Sequence, residues 1–461
     1  MTQEDLDLLS KEEMIRLILE QAKQLAQLKA DYEALKQKLD RQQKPPTSSK
    51  NSSQPPSRDQ KSNQTGDQRK HRHGPPQGHE KHERKFVEQA DQVVNLRTKN
   101  CCLCHTDLSI EEGQLVKVNQ ISELPEAKAQ VIEVRQYQTT CPQCGQVQLA
   151  EPPAGLEMER TFGARLEATV VYYRQEQHMS YERTQLALLN LHGVEISQGG
   201  IDGIMQRAGE KAIQAAKLIE ETVRQGAVIH SDETSSRVGG NNWWEWVFCT
   251  AKAVLHVIRF NRSVDVIKDV MDTCKAEVWE SDCYGAQLNA PAQQLQLCLA
   301  HQLRNLQAVV DTYPSLTWTR AMQMLFRYAI HLHHQRNQLS PDQFAAQVAR
   351  VERHCDRLLQ RILAPPEARR MQRRYLKHRQ KLFVFLYRTD VEPTNNVAER
   401  SLRHSVVHRK VIGCFRSEWG AKAFAALASV IDTAELSGVR AFDAIQSLFG
   451  SPSLPVPAGG E

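Results

Sequence analysis

The sequence predicts a multidomain α+β protein, and three observations carry that prediction. A heptad repeat without Gly or Pro opens the chain, a stretch without a single large apolar residue follows it, and β-rich runs later give way to a long helix-rich segment. With 461 residues, 40% of them hydrophobic, and a mean hydropathy of −0.53, the chain can form two to four units but must also contain segments that cannot pack. No apolar run approaches the ~20 residues of a membrane span. The first residues, MTQEDLDLLSKEEM, are acidic and mixed, unlike a signal peptide. Eleven cysteines, an odd number dominated by two close pairs, do not form a secreted disulfide pattern. The expected location is the cytoplasm, with no membrane partner.

In residues 1–42, Met14, Ile18, Gln21, Leu25, Leu28, Tyr32, Leu35 and Leu39 alternate at spacings of four and three. So narrow an apolar seam on one helix needs a partner to bury it, and a homodimeric coiled coil is expected. Residues 43–92 read as a disordered basic linker, since 44–85 contain no Val, Ile, Leu, Phe, Trp or Tyr. Residues 93–152 hold "CCLC" and "CPQCG", separated by 36 residues. Two C-x-x-C knuckles complete a tetrahedral zinc site, with Cys101, Cys104, Cys141 and Cys144 as ligands and Cys102 and His105 as spares. Val116 and Val118, then Ile132 and Val134, alternate with polar residues, which predicts strands and hence a zinc ribbon. Buried or redox cysteines are the plainer alternative.

Residues 153–222 read as helical. "SYERTQLALLNLHGVEISQGGIDGIMQRAG" predicts helix, turn at Gly193 and a second helix capped by Ser197. That helix opens with Gln198, Gly199, Gly200 and Asp202, poorly suited to reading base edges, so the pair is expected to pack rather than enter a groove.

Charge is distributed unevenly. Residues 41–85 carry 11 Lys and Arg against 4 Asp and Glu, and residues 361–420 carry 14 against 5, on a chain of net charge +5. Clustered cations suit an extended polyanion, although soluble surface accounts for them equally well.

Residues 223–420 hold the acids. "GAVIHSDETSS" (226–236) reads as a short strand ending in Asp232, "NNWWEWVFCTAKAVLHVIRF" (241–260) as two more, and "AEVWESDCYGAQ" (276–287) as a strand ending at Asp282. Trp244, Trp246 and Phe248 share a core face. Asp265, Asp269 and Asp272 fall on a solvated helix face, while Glu233 competes with its neighbour Asp232. "NNVAERSLRHSVVHRK" (395–410) reads as a helix with Asn396, Glu399, Arg400 and Arg403 on one side and Ala398 and Leu402 on the other. An ordinary Glu399–Arg403 ion pair is the bland account of that side. Two strand-end aspartates and a helix glutamate are instead the arrangement that holds two Mg²⁺ ions in ribonuclease-H-like α/β folds. A helical insertion is expected near 303–385, and C-terminal helices and a tail over 421–461.

The chain resembles the DDE transposases of the bacterial insertion sequence 66 family. The resemblance runs through the zipper, "SSKNSSQPPS", the knuckles, "SDET" (231–234), "SDCYGAQ" (281–287), "CLAHQLRNL" (298–306) and, most specifically, 395–439. It implies a catalytic triad of Asp232, Asp282 and Glu399 on Mg²⁺ or Mn²⁺, cleavage at transposon ends and strand transfer into target DNA. Arg304, Arg400, Arg403, Arg409 and Lys410 are expected on DNA, with His301 and Asn396 as orienting residues, though His301 also reads as an interior histidine. The family places Gly-Tyr after the second Asp, where this chain has Cys283 and Tyr284. Expected partners are terminal inverted repeats, target DNA, a second copy of the chain and small accessory proteins. Two other functions compete: a non-catalytic zipper and zinc-ribbon regulator, and a nuclease without a joining step.

Overall fold

A computed structural model describes residues 19–22, 24, 25, 27, 28, 48, 50–52, 85–110, 113–153 and 155–450. The predicted zipper and linker therefore lie largely outside the described residues, as does the tail over 451–461. Gln21, Leu25 and Leu28 of the heptad seam are helical, and both leucines are exposed.

The described residues fall into two units. The smaller is drawn from residues 85–132 with Leu186–Ile196, and the larger from Glu133–Gln185 and 197–450. In the smaller unit the first cysteine knuckle is closed by hydrogen bonds from Cys101 N to Thr106 O (2.9 Å) and from His105 N to Cys101 O (3.0 Å). The strand expected at Val116–Val118 does not form. That backbone is irregular and both valines are exposed, because period-2 alternation needs a paired strand and an apolar layer to cover it.

The larger unit begins with β1 (Gln138–Thr140) and β2 (Val147–Leu149), an antiparallel pair flanking the second knuckle. Ile132 and Val134 belong to neither strand. The helices α1 (Ala164–Gln175), α2 (Tyr181–His192) and α3 (Gln198–Arg224) come next; α1 and α3 belong to the larger unit, whereas α2 passes at Leu186 into the segment assigned to the smaller. The turn at Gly193 adopts φ +66°, and the Ser197 side chain accepts from Gly200 N, as the sequence predicts. α3 is a packing helix that buries Ile201, Ile204, Ala208 and Ala212. A Cβ at Gly209 would lie 2.8 Å from the Ala423 Cβ, so only glycine allows this approach of α3 to α10 (Glu418–Leu436).

The central sheet contains β3 (Val228–Val238), β4 (Asn241–Cys249), β5 (Val254–Arg259), β6 (Ala276–Ser281) and β7 (Ala292–Leu297), in the order β5-β4-β3-β6-β7. β3, β4 and β5 form an antiparallel meander, while β6 and β7 run parallel to β3. One face packs Ile229, Trp246, Phe248 and Leu255 against α4 (Val264–Met271) and the end of α3. Asp265, Asp269 and Asp272 are exposed, as expected. The other face packs Val247, Cys249 and Val254 against Ala398 and Leu402 of α9 (Asn396–Ile412), and Val238 and Ile258 against Phe424 of α10.

One strand reading needs correction, and one strand had no sequence signal. β3 does not end at Asp232, because its polar half continues as a ribbon with β4 whose tip is held by Phe415. β7, with the sequence AQQLQL, has too little apolar alternation to announce a strand and forms the sheet edge. Between β7 and α9 lies the helical insertion, comprising α5 (Leu299–Thr312), α6 (Thr317–His334), α7 (Pro341–Leu359) and α8 (Pro366–Lys377). Its own core includes Leu306, Trp318, Phe326, Val351 and Tyr375. The helix α11 (Ala441–Ser447) completes the described chain.

Candidate active site

The parallel register of β3 and β6 brings two of the acids together. Val228, Ile229 and His230 pair with Val278, Trp279 and Glu280. Carried two residues further, the same register leads Asp282, the residue after β6, toward Asp232, and the Asp282 charge is among those that raise the Asp232 carboxyl. So although Asp232 lies within its strand, it sits where pairing with β6 has stopped, and the fork opens there.

Hydrogen bonds from Asn395 fasten the third acid to the first two. Asn395 is fully buried; its Nδ2 donates to Ser231 O (2.8 Å) and its backbone N to Cys298 Sγ (3.2 Å). Cys298 N donates in turn to Ser281 O (2.8 Å). Ser231, Ser281 and Asn395 lie one, one and four residues before Asp232, Asp282 and Glu399. A single chain of bonds therefore ties together the three segments that bear the acids. Glu399 N donates to Asn395 O (3.2 Å), which places the carboxylate in the first turn of α9, where the helix dipole favours negative charge.

The electrostatics reflect this crowding. Burial and then repulsion from Glu233, Asp282 and Glu399 push the Asp232 carboxyl well above the usual carboxylate range. Below it, His230 Nδ1 and Glu280 Oε2 face each other at 3.3 Å. Burial raises the Glu280 carboxyl and lowers the His230 imidazole, which favours the neutral form of both. Among the described residues Arg304 of α5 is the one Lys or Arg within ion-pair distance of the three acids, at 3.0 Å from Glu399. His301 Nδ1 stands 3.5 Å from the same oxygen, and burial lowers its pKa. Glu399 thus takes its cation from α5 and not from Arg403 on its own helix.

The side chains around the acids fall in different environments. Arg409 donates to Thr234 Oγ1 (3.2 Å) and Ser235 Oγ (2.8 Å), anchoring α9 to the β3 ribbon. Arg400, Arg403, Lys410 and Asn396 are exposed. Glu233, on the opposite face from Asp232, accepts from Arg262 (2.6 Å) and Gln287 (2.7 Å). Tyr284 N donates to Asp282 Oδ1 (2.8 Å), and its ring lies 3.9 Å from the Arg262 guanidinium. Asn395 was missed, since a buried asparagine leaves no periodic signal. Also missed was a buried bridge in which His256 bonds Glu245 and Asp432, both at 3.1 Å.

The donor set suits a hard cation. Glu233, Asp282 and Glu399 are the charges that raise Asp232, and a divalent ion held by the acids would relieve that repulsion. Among the described residues, the group whose ligand atoms all lie within 4.8 Å of one another is Cys298 Sγ, a His301 ring nitrogen and a Glu399 oxygen, and the three acids are more widely spaced. Burial holds the Cys298 thiol up at about 12, so it serves as a neutral hydrogen-bond acceptor for Asn395.

Each cysteine knuckle offers two sulfur donors from the same backbone turn. Cys141 N bonds Gln146 O (2.8 Å) and Gly145 N bonds Cys141 O (2.9 Å), matching the bonds of the first knuckle. His105 and Gly145 hold the equivalent position at φ +60° and +73°. Hydrogen bonds from Thr106, then Cys101, bring the Cys104 thiol down to about 7, and backbone donors at Cys144 and Gln143 lower Cys141. Thiols shifted in this direction are ready zinc ligands.

Nothing among curated proteins matches the chain. The model of the transposase IS66 family matches residues 159–423, more than half of the chain and a span that includes Asp232, Asp282 and Glu399. The chain therefore belongs to the IS66 family of transposases, enzymes that act on DNA.

Proposed function

We propose that residues 223–420 form a ribonuclease-H-like DDE catalytic domain in which Asp232, Asp282 and Glu399 bind divalent metal and cleave and join DNA. The sheet order, with a three-stranded meander beside two parallel strands, supports the fold. The bond chain from Asn395 to Ser231 and, through Cys298, to Ser281 supports the site assignment, because it ties together the three segments that bear the acids.

Two Mg²⁺ or Mn²⁺ ions, when bound, would supply Lewis-acid activation of the attacking oxygen and stabilisation of the leaving one. The chain's own part is to hold the carboxylates in register, keep Glu399 at the helix start and bring cations to the scissile phosphate. Water attacks phosphorus at the transposon end, the P–O3′ bond breaks, and a 3′-hydroxyl is released. That hydroxyl then attacks a target phosphodiester, exchanging one P–O bond for another without ATP. Arg304 would move from Glu399 to phosphate, His301 and Asn396 would orient the site, and Arg400, Arg403 and Lys410 would line the approach. Arg409 supports the site by anchoring α9.

The proposal extends to zinc on Cys101, Cys104, Cys141 and Cys144, supported by the matching knuckles, and to a dimer formed by the N-terminal heptads. No helix among the described residues is long and apolar enough to cross a membrane. Purified protein with Mg²⁺ and a duplex carrying its element's ends tests the reading: it should yield nicked ends and branched, joined products. Metal-dependent nicking without joined products would reduce the function to a nuclease, and no breakage at all would leave a DNA-binding protein.

A further inference from the structure

Most cations of residues 361–420 lie in two places in the fold. Arg400, Arg403, Arg409 and Lys410 lie on α9. Five more lie on α8, whose sequence PEARRMQRRYLK buries Ala368, Met371 and Tyr375 on one side. Arg370, Arg373, Arg374 and Lys377 recur at i, i+3, i+4 and i+7 on the other side, and Lys381 extends the stripe through the turn that packs along β7. Among the described residues none of these five lies within ion-pair distance of a carboxylate. The nearby acids are already engaged, Glu352 and Asp356 by Arg379 and Glu367 by Tyr313.

The stripe leads to the site. Cys283, the residue after Asp282, packs against the core that contains Met371, Tyr375 and Leu382. Lys381 follows α8, and burial and then the charge of Lys377 depress its ammonium. Such self-repulsion persists where an absent anion completes the surface. From Arg370 to Lys377 the helix rises ~10 Å, close to three nucleotide steps of ~3.4 Å along one strand.

We infer that Arg370, Arg373, Arg374, Lys377 and Lys381 form a cradle for a DNA phosphodiester backbone, leading one strand from the Asp282 side of the site across the helical insertion. The inference rests on Asp282 being a site acid and adds a surface to that reading. The face touches phosphate only, so it contributes affinity and register without sequence preference.

The test uses the full chain with Ca²⁺ in place of Mg²⁺ and two fluorescent duplexes, one bearing the element's end and one of random sequence. Affinity is measured against salt concentration. Arg374→Gln, Lys377→Gln and Lys381→Gln together should lower the slope of log K against log salt by about 2–3, at ~0.9 per phosphate contact. Arg370→Glu with Arg373→Glu, both exposed, should weaken binding at least tenfold without shifting the melting temperature. An equal neutralisation of exposed cations on α6 and α7 (Arg320→Gln, Arg327→Gln, Arg350→Gln) should leave the slope unchanged. Loss on the end duplex assigns the cradle to transposon DNA, and loss on the random duplex assigns it to target. A wild-type slope in both cradle variants overturns the inference while leaving the catalytic reading intact if wild type still cleaves. Wild-type protein that neither binds nor cleaves overturns both.

Discussion

Asp232 and Glu233 are neighbours on the same strand and face opposite sides of the sheet; burial raises both carboxyls, but among the described residues Glu233 alone of the two has a guanidinium to offset it. Glu233 is buried and compensated: Arg262 and Gln287 bond its carboxylate, and Trp279 Nε1 fixes Gln287 in turn (2.9 Å). Asp232 is surrounded by Glu233, Asp282 and Glu399, and its one hydrogen-bond donor with a resolved distance is Glu233 N (2.9 Å). The fold gives one acid a guanidinium and, among the described residues, leaves the other without a cation of its own. On the proposed function, the Glu233 side serves stability and the Asp232 side keeps a place for a charge that arrives with the substrate.

The largest test of this contrast is Asp232→Asn. DNA cleavage should fall on the order of a thousandfold or more, while the protein without Mg²⁺ or Mn²⁺ should gain about 1 kcal/mol of stability through relieved repulsion. A variant that lost both activity and stability would make Asp232 a structural residue like its neighbour. Arg262→Ala should do the reverse: it strands a buried carboxylate and costs about 2–3 kcal/mol, a figure reduced because Arg262 is one-third exposed. Urea unfolding would show this, with Glu233→Gln milder.

The buried His256 gives a smaller effect with a pH signature. Burial opposes its imidazolium, but hydrogen bonds to Asp432 and Glu245 outweigh burial and hold the pKa up at about 9. The sign follows from a folded pKa above the unfolded 6.5. The contribution is fully present below pH 6.5 and is lost as pH rises through 9. The urea midpoint of wild type should fall across that window, and His256→Gln should be less stable at pH 6.5 with a flatter profile. A wild-type midpoint that stayed level from pH 6.5 to 9.5 would contradict the bridge. The smallest effect is expected at Arg304→Gln. Freeing Glu399 from a partly exposed ion pair should tighten Mn²⁺ binding a few-fold, by about 0.5–1 kcal/mol, while weakening DNA binding. Weaker Mn²⁺ binding would place Arg304 outside the acid cluster.

Much of this site was legible in the sequence. β-rich runs leading to Asp232 and Asp282, and a helix whose apolar side (Ala398, Leu402) fixes where Glu399 sits, carry periodic signals that survive into the fold. Residues joined by tertiary contact alone were not legible. Asn395 and Cys298 connect the three acids, and Arg304 pairs with Glu399 across 95 residues, yet none of these carries a local pattern. Polar alternation also misled in both directions. Val116 and Val118 alternate but find no partner strand, whereas the Gln-rich β7 pairs through its backbone with β6. The Asp232 strand runs on past the acid because the segment at Phe415 clasps its tip, a contact 177 residues away from Val238.

The central claim is that Asp232, Asp282 and Glu399 hold a cation together, and iron-directed cleavage of the full chain tests it most directly. Fe²⁺ in place of Mg²⁺, with ascorbate and peroxide, should cut the backbone beside all three acids, and added Mg²⁺ should suppress every cut. Cuts at Cys298 and His301 alone, or a pattern that Mg²⁺ does not alter, would contradict it.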